Sequence, residues 1–106
     1  MKESSNGGAS FEVLDGERSR VVGLLEFATV THLLPLGNAA IDAGQAAIID
    51  LGGVTGSDSS GLALLIEWLS VARAAKRTLR YENIPAQLDQ LARLSEVEEL
   101  MIGAPH

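Results

Sequence analysis

Apolar positions along the chain come in short segments separated by turn residues. Phe11 to Leu14 reads as a first strand, closed by the turn signal Asp15-Gly16-Glu17. Ser19 to Leu25 reads as a second strand, antiparallel to the first. Thr29 or Thr31 then caps a helix running to about Ala43, with Pro35 expected near its first turn and Gly44 as its stop. Ala46 to Leu51 is an uninterrupted apolar run closed by Gly52-Gly53, which predicts a central strand covered by helices. Gly53 to Ser57 reads as a loop that delivers the chain to Asp58.

A second helix is expected from about Ser59 to Lys76. Thr78 to Glu82 reads as the next strand, and Asn83-Ile84-Pro85 as a turn with Pro85 at a helix start. Gln87 to Leu94 follows as a third helix. Ser95 caps a last short helix, Glu96 to Met101, with Glu98 placed for a capping box. The predicted class is α/β, in the order β-β-α-β-α-β-α-α. Residues 10–102 form one domain, between a Ser-, Gly- and Asn-rich tail at 1–9, expected to be disordered, and a short tail at 103–106.

The second helix carries two apolar stripes at ~100° per residue. Leu62, Leu65, Ile66, Leu69 and Ala72 share one face, suited to the sheet. Leu64, Trp68, Val71 and Ala75 share another. Either a neighbouring helix covers this second stripe, or Trp68 anchors a binding patch with Ser60 and Glu67 at its border. An uncovered stripe would also favour dimers of the isolated chain.

Composition narrows the function. The chain has 106 residues, enough for one core, and 46% of them are hydrophobic. Its net charge of −6 and scattered basic residues argue against nucleic acid. The short group Arg73, Lys76, Arg77 and Arg80 is the kind that complements a helix C-terminus. With no cysteine there are no disulfides or thiolate metal sites. No apolar run approaches the ~20 residues of a membrane span, and no signal peptide is read at the start, so a cytoplasmic location is expected.

Little here suggests an enzyme. His32 and His106 are the only histidines and lack partners at metal-binding or triad spacing. The glycine-containing loop has no P-loop lysine, and Glu96, Glu98 and Glu99 suit a solvated helix start. No cofactor is expected. The informative feature is Asp58-Ser59-Ser60-Gly61, a hydroxyl-bearing junction between an apolar strand and a long helix. Ser59 is the expected N-cap, with its oxygen accepting from an N–H one turn in. Asp58 orients a kinase-bound metal or makes an Asx-type turn. A phosphoryl group on Ser59 would meet the positive end of the helix dipole.

The strand ending in Asp50-Leu51, the loop, Asp58-Ser59-Ser60-Gly61-Leu62 and the long helix together resemble the STAS domain. That is the fold of bacterial anti-sigma factor antagonists and of the cytoplasmic ends of sulfate transporters. The resemblance implies a small sheet with helices on one side. It also makes Ser59 the phosphoacceptor-equivalent, with Asp58 as the acidic residue before it.

Gly23 followed by Phe27-Ala28-Thr29-Val30 looks like the MlaB-type branch of the family. So do Asn83-Ile84-Pro85-Ala86-Gln87-Leu88 and Leu91-Ala92-Arg93-Leu94-Ser95. The likeness spans about residues 11–101. It implies a cytoplasmic subunit of a phospholipid ABC transporter, held at the inner membrane by the complex, with the Ser59 position at the ATPase contact. The implied contact surface is Asp58, Ser59, Ser60, Leu64, Glu67, Trp68 and Val71. The alternative is an anti-sigma factor antagonist switched by phosphorylation of Ser59, with an anti-sigma factor kinase as partner. One departure stands out: Leu24 occupies a position after Gly23 that is acidic in many relatives, and the acid is displaced to Glu26.

Overall fold

The computed structural model describes residues 8–94, in the order β1 (Ala9–Val13), β2 (Arg18–Leu25), α1 (Phe27–Asp42), β3 (Ile48–Ser57), α2 (Ser59–Ala74), β4 (Arg80–Glu82) and α3 (Ala86–Leu94). The last predicted helix, residues 96–101, and the tail at 103–106 lie outside the described residues. So do residues 1–7 of the N-terminal tail, whereas Ala9, placed in that tail by the sequence, is a buried residue of β1.

The four strands form one sheet in the order β1-β2-β3-β4. β1 pairs antiparallel with β2, while β2–β3 and β3–β4 are parallel. Both parallel connections step the same way across the sheet, so right-handed crossovers put α1 and α2 on one side of it. Alternate strand residues point into that side: Ala9 and Phe11, Ser19, Val21 and Leu25, Ile49 and Leu51, and Tyr81 are all buried, as is Leu79 just before β4.

The other face bears charges. Register aligns Glu12, Arg20, Asp50 and Glu82 in one row across all four strands. Arg20 pairs with Glu12 at 2.6 Å, and Arg18 with Glu82 at 2.6 Å. β3 is therefore covered by helices on one face only, a correction to the two-sided burial expected from its apolar run. Ile49 and Leu51 point inward, whereas Asp50 points out and accepts from Asn83 Nδ2 and the Gly52 N–H.

Three boundaries differ from expectation for local reasons. Gly53 to Ser57 continues β3 instead of forming a loop. Two register shifts let it follow β2, and a Cβ at Gly53 would crowd Val22. Pro35 lies in the middle of α1, on its exposed side, so the carbonyl that loses its donor faces water. α1 also starts earlier than expected. Its N-cap is Glu26, whose N–H donates to Thr29 Oγ1 at 2.9 Å, while the Thr29 hydroxyl donates to the Leu24 carbonyl.

Candidate functional site: the junction of β3 and α2 and the groove beside it

β3 ends on the buried Ser57, whose N–H donates to Gln87 Oε1 of α3 at 2.9 Å and whose hydroxyl donates to the Asp58 carbonyl. The Asp58 N–H donates to the Leu25 carbonyl at the end of β2, at 3.0 Å. Two neighbouring elements thus fix the direction in which the chain leaves the sheet. Asp58 has extended backbone angles, and its side chain accepts from the Ser60 N–H at 2.8 Å. Asp58 is therefore the N-cap, a correction to the assignment of that role to Ser59. Both residue types cap well, but the carboxylate sits one residue earlier and takes the free donor.

Ser59 consequently occupies the first helical position, exposed, with no hydrogen bond to its hydroxyl among the described residues. Gly61 completes the junction by close approach. A Cβ there would overlap the Ser57 hydroxyl and press on Leu25 Cβ.

The stripe of Leu64, Trp68 and Val71 is covered, and the neighbouring helix that covers it is α1. Trp68 is 0% exposed. Its ring packs edge-on against Phe11 of β1, with centroids 5.5 Å apart, and its Nε1–H donates to the Leu34 carbonyl of α1 at 3.2 Å. The indole lies against the α1 backbone at Gly37, where any Cβ would overlap it. Trp68 is thus no surface anchor, and its face gives no reason for dimers. Leu64 is also buried, and Val71 is partly buried against the core.

One turn towards the start of α2 the two helices leave an open groove of about 390 Å³. α1 contributes Phe27, Val30, Thr31 and Leu34, and α2 contributes Ser60, Ala63, Leu64 and Glu67. Phe27 is 72% exposed, a large apolar surface for an aromatic side chain. Asp58, Ser59, Ser60, Leu64 and Glu67 thus gather at one end of the molecule, without Trp68 and Val71. The sequence reading missed Phe27, Val30, Thr31, Leu34 and Ala63. Their signal was the spacing of Phe27, Val30 and Leu34, a second apolar stripe on α1.

Two perturbed groups lie away from this end. The hydrogen bond from Asn83, then that from the Gly52 N–H, hold the Asp50 carboxyl below its ordinary value, with help from Arg18 and Arg20. Burial pushes the Tyr81 phenol well above its usual range, and its O–H donates to the Leu65 carbonyl at 2.6 Å. Among the described residues no three His, Cys, Asp or Glu side chains gather to hold a metal, and no helix is long and apolar enough to cross a membrane.

The fold is similar to that of the anti-sigma factor antagonist SpoIIAA in its unphosphorylated form, with a TM-score of 0.68 and 18% identity over 89% of this chain and 85% of that one. The Bacillus cell fate determinant SpoIIAA in its phosphorylated form matches with a TM-score of 0.66 and 18% identity, over 89% of this chain and 88% of that one. No curated protein matches significantly by sequence. The family model described as "Mlab, STAS domain" matches residues 15–103, most of the chain. With its mixed sheet, its helices and its exposed serine where α2 begins, the chain belongs to the MlaB family of STAS domains.

Proposed function

We propose that this protein is a non-catalytic STAS subunit that binds the ATPase of a bacterial phospholipid ABC transporter. It supports assembly and activity of that complex in maintaining outer-membrane lipid asymmetry. It works in the cytoplasm, peripheral to the inner membrane through the complex. The observation that carries this reading is the exposed Ser59 hydroxyl, without a hydrogen bond among the described residues, beside an apolar groove in a chain of the MlaB family. Burying Phe27 and the groove walls against the ATPase would favour one subunit arrangement without any chemistry in this chain. Asp58, Ser59, Ser60, Leu64 and Glu67 remain the proposed contacts, and Phe27 replaces Trp68 as the anchor.

A second reading, an anti-sigma factor antagonist, is favoured by the fold likeness to SpoIIAA in both phosphorylation states. A phosphoryl group on the exposed Ser59 would add about −1.5 to −2 charge beside Asp58 without entering the core. Affinity purification of the tagged protein from membranes of its own organism separates the two. Recovery of an ABC ATPase with a permease supports the transporter subunit. Recovery of a kinase-like anti-sigma factor, with phosphate found on Ser59 by mass spectrometry, supports the switch and overturns the transporter reading.

A further inference from the structure

The groove has an apolar floor and an acidic surround. Phe27, Val30, Leu34, Ala63 and Leu64 supply the apolar surface, and Glu67 stands on one wall. Glu26 immediately precedes Phe27, and the Asp58 carboxylate holds the N–H of the groove residue Ser60. None of these three carboxylates is ion-paired among the described residues. The pairs formed by Arg18, Arg20, Arg80 and Arg93 lie on the open sheet face and on α3. Among the described residues, no lysine or arginine lines the groove. The group Arg73, Lys76 and Arg77 sits at the far end of α2, and Lys76 is about 25 Å from Ser59 at the helical rise.

We infer that the groove receives an amphipathic helix whose apolar face is flanked by lysine or arginine. This rests on the reading of this end as a partner interface and names the chemistry of what docks there. Both walls are helices and offer no open strand edge for β-strand addition. Phe27 to Leu34 covers about 10 Å, two turns, which matches side chains at i, i+3 or i+4 and i+7 of a docked helix. Cationic flanks would compensate the charge of these carboxylates, which have no cationic partner among the described residues. A second copy of this chain would bring the acidic surround against itself, and anionic phospholipid headgroups would meet the same repulsion.

The test uses the intact protein and two synthetic helical peptides sharing one Leu/Phe face, one flanked by lysine and the other by glutamate. Anisotropy titration is expected to show the lysine peptide binding at least about tenfold tighter. That advantage should shrink at high salt. Phe27→Ser should weaken both peptides, and Glu67→Lys should shrink the preference. The emission of buried Trp68 verifies that each variant is folded. Equal affinity for the two peptides, no binding by either, or a preference untouched by Glu67→Lys would overturn the assignment. If no ABC ATPase is captured but Glu67→Lys shrinks the peptide preference, the transporter reading falls and the groove assignment stands. If an ATPase binds Phe27→Ser and Glu67→Lys with wild-type affinity, the groove assignment falls alone.

Discussion

Two aromatic rings flank the contact between α1 and α2. Trp68, from α2, is enclosed by Phe11, Gly37 and the Leu34 carbonyl, whereas Phe27, from α1, is 72% exposed. What separates them is the residue that faces each from the other helix. Opposite Trp68, α1 presents Gly37, and the missing side chain lets backbone and indole touch. Around Phe27, α2 presents Ser60 and Ala63, too small to close over the ring. One helix pair thus carries a sealed region that holds the fold and an open region suited to a partner. An aromatic on an apolar stripe does not say which region it belongs to. Its counterpart across the interface does.

This contrast is open to direct attack. Trp68→Ala should lower stability by about 4 kcal/mol, through the lost transfer and the cavity left behind, read as a shifted urea midpoint. A variant near wild-type stability would mean that α1 does not close over that site. Gly37→Ala should cost less, about 2 kcal/mol, because the added methyl overlaps the indole and outweighs its better helix propensity. An unchanged or raised melting temperature would break the sealed half of the comparison.

At the junction, Asp58→Ala should cost about 1 kcal/mol through loss of the cap, while Ser59→Ala should fall within about 0.5 kcal/mol of wild type. Equal losses at the two positions would return the capping role to Ser59. The smallest effect is pH-dependent. The folded pKa of Asp50 lies below its unfolded value, so its contribution is present above the unfolded value near ~3.9 and is lost as pH falls through the folded one. Asn83→Ala removes the largest cause of that shift. It should flatten the decline in stability below about pH 4, as followed by acid titration of Trp68 emission.

The order of elements and the place of Ser59 were legible because glycine and proline punctuate the chain and the apolar periods change cleanly. The STAS resemblance rested on Asp58-Ser59-Ser60-Gly61, which stands where α2 leaves the sheet. What could not be read depended on contacts between distant segments. Helical spacing put Leu64 and Trp68 on one face, but it cannot say that Gly37 lies opposite the indole. The glycines after Leu51 read as a loop because local propensity is blind to the pairing with β2 that extends the strand. Pro35 read as an early helix position because nothing local signalled the cap at Glu26.

The central claim is that partner binding belongs to the open end of the α1–α2 contact and folding to the sealed one. The most direct measurement is a titration of the purified ABC ATPase with wild type and Phe27→Ser, with urea unfolding of both proteins alongside. The account predicts affinity at least about tenfold weaker for Phe27→Ser with an unchanged urea midpoint. Unchanged affinity, or weaker binding that merely tracks a loss of stability, would contradict it.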